Sequence, residues 1–454
     1  MNVNDIHLIK GEPSAVFHHP TFTLIEINNL VYDILTRVKK DESIESIAIE
    51  LKLKPADIET LLTNISKSIP NDSNQGEKNL ASKKGRSIHR ITLHVANKCN
   101  LRCKYCYANG GDYNQPESMM TMDTASKFVD FCTTHFDEIK TIVFFGGEPL
   151  LNPKPIQFIC ESFEHLYKGK KIGYLPEWGI ITNGTILNDY ILNLIKQYMK
   201  FITVSIDGPQ NLNDFNRRFK NGKGSYAKIA NFIKKVQNET DVHLKYEATY
   251  TSYHSQNNWT ESDVKSFLTS EFNISGSLVH DLNHPETVNV NNSQGMGFPE
   301  GFFNILNAIA YKVQKEMCLV GNNIVAISTD GKIYPCHMNY GKEHLSLGNI
   351  TSDNIFNSPD KYLSKFPYLK SLLKIDKPCI DCWAKPICGG CAMRWFYNGK
   401  ADEYNSLPDR LLCETNKKHI EAILLLIIRL RKDKPKWTEL LQKITYYDDY
   451  DYFL

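Results

Sequence analysis

Ten of the twelve cysteines in this chain fall into two groups, and their spacing restricts what the chain can fold around. Cys99, Cys103 and Cys106 form a C-x3-C-x2-C run. Cys318, Cys336, Cys379, Cys382, Cys388, Cys391 and Cys413 form a looser group toward the C-terminus. Thiolates are natural ligands of cluster iron, and three of them on one 4Fe-4S cluster leave an iron open to a small molecule. The alternative for either group is zinc. A structural zinc ion wants four closed ligands, and neither a fourth cysteine nor paired histidines lie near the first run. The paired C-x2-C motifs of the second group match a zinc ribbon as well as a cluster site. Cys132 and Cys160 stand outside both groups, within helical patterns, and read as packed side chains.

At 454 residues the chain is long enough for about three domains at roughly 150 residues each. A hydrophobic fraction of 42% and a charged fraction of 23% suit a soluble globular protein. The formal charge of +2 gives no overall field for nucleic acid or an anionic membrane, and neither is expected as a partner. The first residues lack a basic, apolar signal segment, and the longest apolar run, 422–428, is too short to cross a bilayer. The expected location is cytoplasmic, where thiols stay reduced and cysteines serve metal or clusters rather than disulfides.

Along the chain, residues 1–85 read as a small unit with its linker. Strand patterns at 6–10 and 22–28 precede amphipathic helices at 31–38, 44–51 and 55–69, an order that suggests a winged-helix-like shape. Residues 71–86 are polar and rich in Gly and Ser, as a linker would be. From 86 to 285, strand patterns at 91–96, 141–145, 179–182, 201–206, 244–251 and 277–281 alternate with helical stretches. Six such units predict a parallel α/β sheet, open or curved into part of a barrel, with active residues at the strand C-terminal ends. A bridging region at 286–315 leads to 316–454, where Cys, Gly and Pro are dense and bound clusters would supply the cross-links a thin core lacks. Residues 419–431 read as a closing helix.

The C-x3-C-x2-C run directly follows the first of the six strands, and Gly146-Gly147-Glu148-Pro149 follows the second. In that register the chain resembles the radical S-adenosylmethionine (SAM) superfamily. The resemblance implies a partial (β/α)6 TIM-like barrel in which Cys99, Cys103 and Cys106 hold a SAM-binding 4Fe-4S cluster. Gly146 and Gly147 would let backbone approach the cofactor, and Glu148 would accept bonds from the methionine ammonium. Tyr105, between two of the cysteines, would cover an aromatic ring. Asn183, Ser205 and Asp207 end the third and fourth strands and resemble ribose and methionine contacts. Arg217 resembles the arginine that pairs with the methionine carboxylate, although Arg218 beside it competes for that part. The implied chemistry is one-electron cleavage of the sulfonium to a 5'-deoxyadenosyl radical, driven by an external one-electron reductant.

The C-terminal cysteines resemble the SPASM extension of radical SAM peptide maturases, although the last short gap holds two residues where three are common. That resemblance implies two auxiliary 4Fe-4S clusters, three clusters in all. One would be ligated by Cys379, Cys382, Cys388 and Cys413, the other by Cys318, Cys336 and Cys391. The second set leaves an iron free for an outside ligand such as a substrate thiolate. The element order of residues 1–85 resembles a leader-recognition domain, which binds an extended peptide at a sheet edge. Together these imply a sactipeptide or ranthipeptide type of thioether synthase acting on a ribosomally made precursor peptide. Carbon–carbon crosslinking, formylglycine formation and, in a different class, a zinc-binding regulator are the alternatives. The general base, the acceptor carbon and the oligomeric state have no signature in the sequence.

Overall fold

In the computed structural model, residues 2–70, 87–281, 301–312, 324–352, 379, 381–388, 396–398 and 403–447 are described. The chain divides into two compact units that each draw on separate stretches of sequence. One comprises Met1–Ser82, Phe298–Cys318 and Phe366–Leu454; the other comprises Lys83–Gly297 and Leu319–Lys365.

The second of these units is built on a parallel sheet. Strands β4 (Ser87–Asn97), β6 (Glu138–Gly146), β7 (Glu177–Thr182), β8 (Met199–Ser205), β9 (His243–Tyr250) and β10 (Ser275–His280) lie side by side in chain order. Every neighbouring pair among them is parallel. Parallel neighbours require crossovers, and helices supply them. These are α4 (Met122–His135), α5 (Pro153–Lys168), α6 (Asp189–Tyr198), α7 (Gln210–Asn216), α8 (Tyr226–Glu239), α9 (Ser252–Gln256) and α10 (Glu261–Phe272). Several starts are written into the sequence: the side chains of Thr121, Asn188 and Thr260 accept from backbone N–H groups in the first turns of α4, α6 and α10.

Alternation along β9 shows how the sheet is sided. Leu244, Tyr246, Ala248 and Tyr250 are buried, whereas His243, Lys245, Glu247 and Thr249 are only half-buried on the opposite face. Beyond β4 the sheet continues through β11 (Ile324–Ile327), β12 (Lys332–Tyr334) and β13 (Gly348–Asn349). β11 runs parallel to β4, with Ile324 opposite Arg90, and then turns back into β12. β5 (Ser118–Met119) pairs with the end of β4.

The other unit begins with an antiparallel sheet of β1 (Ile6–Ile9), β2 (Ser14–His18) and β3 (Thr23–Ile27). Three helices follow: α1 (Asn29–Val38), α2 (Ile44–Leu51) and α3 (Pro55–Lys67). Two strands are expected from the sequence, and the structure has three. The unexpected one, β2, lies in the middle and is buried along its whole length, so it lacks the alternation that marks a half-exposed strand. Val16 packs with Leu35 of α1, Ile65 of α3 and Ile69 just beyond it. Ala15 and Phe17 pack instead with α11 (Phe302–Tyr311) and the long α12 (Arg410–Arg431). The linker at 71–86 and most of the bridging region lie outside the described residues. Among the described residues no helix is long and apolar enough to cross a membrane.

Candidate active site

Cys99, Cys103 and Cys106 follow the C-terminal end of β4 on a loop pinned from several sides. Arg102 N–H donates to Arg218 O (2.7 Å) and Lys104 N–H to Asn216 O (3.0 Å), while Leu101 bridges to Phe219. The Arg102 guanidinium gathers three carbonyls, those of Gly110 (2.9 Å), Leu101 (3.0 Å) and Cys99 (3.3 Å). Donors also point at sulfur. Cys99 Sγ receives Leu101 N–H (3.4 Å) and Asn183 Nδ2 (3.6 Å), and Cys106 Sγ receives Gly110 N–H (3.3 Å). Burial pushes the Cys99 thiol up to about 11 and the Cys103 thiol up to about 12. Bound iron would supply the positive charge that such thiolates need. Three thiols on one loop with N–H donors to sulfur fit a cluster with an open iron. Among the described residues, no three Cys, His, Asp or Glu side chains close around a single ion.

The Gly146-Gly147 turn packs against this loop. A Cβ on Gly146 would lie 2.2 Å from Ala96 O, and one on Gly147 would lie 2.4 Å from Lys98 O and 2.8 Å from Gly111 Cα. Gly146 also has φ of 138°, which favours glycine. The space opened by the missing side chains is thus taken by the protein's own backbone. Gly147 N–H and Glu148 N–H complete the junction by donating to Ala96 O and Lys98 O.

Glu148 is fully buried, and its carboxylate accepts from Asn183 N–H (2.7 Å), Thr182 Oγ1 (2.8 Å) and Leu150 N–H (3.0 Å). Burial raises its pKa, while these donors and Arg217 pull the other way. Asn183 is equally engaged: Nδ2 donates to Asn100 Oδ1 (2.8 Å), and Oδ1 accepts from Thr185 Oγ1 (2.6 Å) and N–H (3.0 Å). Asn100 Nδ2 closes the circuit on Thr185 Oγ1 (2.8 Å). The end of β7 and the cysteine loop are held together by this network.

At the end of β8, the buried Asp207 accepts from Tyr105 Oη at 2.7 and 3.0 Å and from Thr249 N–H at 3.0 Å. Tyr105 Oη in turn accepts from Arg217 Nη1 (2.6 Å). His254 braces the turn from behind, its Nε2 2.8 Å from Asp207 O. Burial works against the Arg217 charge, but Cys103, Tyr105 and Asp207 hold the guanidinium protonated. Among the described residues its buried Nε has no hydrogen-bond partner, which leaves a donor for an anion. Arg218 is exposed and donates Nε to Asp214 O (2.7 Å), so the structure separates two neighbours that the sequence could not. Ser205, half-buried, ends β8 opposite Glu247 of β9. Burial raises the Glu247 pKa, with Arg90 and Arg217 opposing.

The C-terminal cysteines divide between the units. Cys336 follows β12 in the unit that carries the first loop, and it and Cys106 both act on the environment of Tyr107. Cys379, Cys382, Cys388 and Cys413 belong to the other unit. Burial lifts the Cys388 thiol to about 12, with Cys382, Cys413 and Cys379 adding to it; Asn416 Nδ2 donates to its Sγ (3.6 Å). Cys413 occupies the first turn of α12, capped by Asp409. Cys318 and Cys391 lie outside the described residues.

Residues 93–267 match the Radical SAM superfamily model, and residues 318–383 match the iron-sulfur cluster-binding SPASM model. The chain carries a radical SAM domain and a SPASM domain. These domains imply 4Fe-4S clusters and SAM. An uncharacterized protein of Methanocaldococcus jannaschii is 39% identical over 138 residues, 30% of this chain and 45% of that protein's length. The antilisterial bacteriocin subtilosin biosynthesis protein AlbA of Bacillus subtilis is 23% identical over 85% of this chain and 88% of its own. A cysteine-type anaerobic sulfatase-maturating enzyme of Clostridium novyi is 26% identical over 74% of this chain and 95% of its own. Among solved structures, native anSMEcpe with bound AdoMet shares the fold, with a TM-score of 0.54 at 17% identity, covering 76% of this chain and 99% of that one.

Asn100, Thr182, Thr185, Thr249, Glu247 and His254 bond to or stand opposite Glu148, Asn183, Ser205 and Asp207 and were not among the sequence-predicted candidates. Asn100 had a signal, standing inside the C-x3-C spacer. The others are common residue types whose part is set by strand-end position alone.

Proposed function

We propose that this chain is a radical SAM peptide maturase that joins a cysteine sulfur to a carbon of another residue in a ribosomally made precursor peptide. In this reading Cys99, Cys103 and Cys106 hold the SAM-binding cluster, and the unpartnered Nε of buried Arg217 meets the SAM carboxylate. Tyr105 and Asp207 orient that guanidinium, while Glu148, Asn183 and Ser205 line the rest of the cofactor site. Gly146 and Gly147 let the two loops close on each other around it. When bound, the cluster and SAM supply the hydrogen-abstracting radical. Cys379, Cys382, Cys388 and Cys413 would ligate one auxiliary cluster, leaving Cys318, Cys336 and Cys391 as the three-thiolate set.

The observation that carries the thioether reading is the mutual influence of Cys379, Cys382, Cys388 and Cys413, four thiols that together can complete one cluster and so leave three for a second. A three-thiolate cluster has room for a substrate sulfur. The three-stranded sheet and helices of residues 6–67 suit a leader-recognition domain, and tethering would raise the core peptide's concentration at the site.

Formylglycine formation is the second reading, favoured by the match to the Clostridium novyi sulfatase-maturating enzyme over nearly all of that protein's length. Anaerobic incubation with SAM, reductant and the precursor peptide encoded beside this gene separates the two. Thioether formation predicts loss of two hydrogens per ring with sulfur retained, and fragmentation places each bond. A product that has lost its cysteine sulfur would overturn the thioether reading in favour of the second.

A further inference from the structure

Cys413 begins one face of α12. At helical spacing that face continues through Asn416, Lys417, Ile420, Glu421 and Leu424, all half-buried or buried, whereas Glu414, Thr415, Lys418 and Ala422 are exposed. The covered face is turned to the other thiols of its group. Asn416 donates its Nδ2 to Cys388 Sγ (3.6 Å). Burial raises the Cys379 and Cys413 thiols, and the Lys417 ammonium opposes it at both. Lys385 also opposes it at Cys379, while exposed Glu414 adds to the rise at Cys413. Lys417 thus acts on two thiols of the set at once.

One turn further along the same face, Glu421 Oε1 lies 2.7 Å from Nε2 of His7, on β1. The His7 ring stacks on Trp383 with centroids 3.6 Å apart and planes 4° from parallel, and Phe17 of β2 meets the same indole edge-on at 6.4 Å. Trp383 directly follows Cys382. Both pack, with Cys388, against a core that contains Ile9, Ala15, Phe17, Ile420 and Leu424, all within one compact unit. The first strand of the chain and its late helix therefore close on the same cysteine loop.

We propose that Lys417 and His7 tune the four-thiolate cluster: Lys417 sets its reduction potential by charge, and His7, tied to Glu421 and stacked on Trp383, holds the N-terminal sheet over it as a shield. This role rests on reading Cys379, Cys382, Cys388 and Cys413 as ligands of one cluster. A cluster ligated by four protein thiolates has no iron free for substrate and takes part only by gaining or losing an electron, so its potential is the property on which function depends. Potential follows net charge, hydrogen bonds to sulfur and solvent exposure. All three are supplied here, the charge by Lys417, the donor by Asn416 and the cover by the stacked rings of His7 and Trp383. A reduced cluster carries one more negative charge than an oxidised one. A nearby ammonium favours the reduced form, and more strongly where water is kept away.

The test uses the full chain with its clusters reconstituted, and the relevant paramagnetic signal is the one lost in Cys388→Ala. In a redox titration followed by electron paramagnetic resonance, Lys417→Met is expected to shift this signal's reduction equilibrium about 10-fold toward the oxidised form, about 59 mV lower for one electron. Lys417→Arg, which keeps the charge, should restore it, and Lys418→Met, on the exposed face, should stay within about 2-fold of wild type. His7→Ala is expected to release the iron of the same cluster to a chelator about 10-fold faster, and His7→Phe, which keeps a ring against Trp383, to slow it again. A Lys417→Met equilibrium within about 2-fold of wild type, or equal shifts from Lys417→Met and Lys418→Met, would overturn the role of Lys417. Iron release from His7→Ala as slow as from wild type would overturn that of His7. If Cys388→Ala loses no signal and no iron, the cluster reading itself fails, whatever the two tuning residues do.

Discussion

Two groups of cysteines in this protein are held by opposite means. The loop bearing Cys99, Cys103 and Cys106 is fixed by hydrogen bonds, with N–H groups aimed at sulfur and Arg102 tying three carbonyls together. Cys382, Cys388 and Trp383 instead lean on an apolar core shared by the N-terminal sheet and α12. There His7 of β1 stacks on Trp383 at 3.6 Å and reaches Glu421 of α12 at 2.7 Å. A polar frame can leave one buried donor unspent, as it does at Arg217 Nε, and so keeps a place for a ligand. The apolar frame beside Cys382 and Cys388 aims fewer donors at sulfur, Asn416 Nδ2 on Cys388 being one.

The contrast breaks most sharply if the two groups are not independent. Changing Cys99, Cys103 and Cys106 together to Ala should abolish reductive SAM cleavage while iron and sulfide at the C-terminal group persist, as read by iron analysis and 5'-deoxyadenosine formation. Cys388→Ala should do the reverse, losing C-terminal iron and keeping SAM cleavage. Loss of cleavage in a folded Cys388→Ala protein would refute the separation.

A smaller effect sharpens the polar side. A hydrogen bond to a charged group contributes about 1.5–3 kcal/mol, so Arg217→Met should weaken SAM binding roughly 10- to 100-fold in equilibrium dialysis. Arg218→Met, at an exposed position, should change it by less than about 2-fold. Equal effects would mean that the buried guanidinium is not the anion partner.

The smallest effect concerns β4, the strand that carries the first loop. Burial, with Lys140 and Arg90 adding, holds the His89 imidazole down to about 4. The folded form therefore gives up a proton that the unfolded chain binds near pH 6.5, so this contribution is whole above about pH 6.5 and is lost as pH falls toward 4. His7, His18 and His19 of the other unit are also lowered by burial, so both units lose stability in acid. In melts of the apo-protein between pH 7.5 and 4.5, His89→Gln should flatten the acid slope without removing it. A variant as acid-sensitive as wild type would show that His89 does not report on β4.

Much of the radical SAM domain was legible because its signals are local. The six apolar strand patterns each recur as one strand of the parallel sheet, from β4 to β10. The cysteine run and the Gly146-Gly147 turn are contiguous motifs. β2 was missed because burial on both faces erases alternation, and that burial is created by α12, nearly 400 residues away in the chain. β11 has four residues, too few for a periodic signal, and its place beside β4 depends on a pairing across more than 200 residues. Glu247 was equally silent, since a glutamate on a strand has no motif.

The sequence by itself determined the ligand chemistry, through thiol spacing, and the strand-helix alternation, through hydrophobic period, because both are properties of neighbours along the chain. Only the tertiary structure decided which arginine turns inward, what fills the space beside the two glycines, and how the late cysteines divide between units. Those outcomes depend on which distant backbone and side-chain groups are buried against each other, and burial is what sets packing, charge and hydrogen-bond partners at each position.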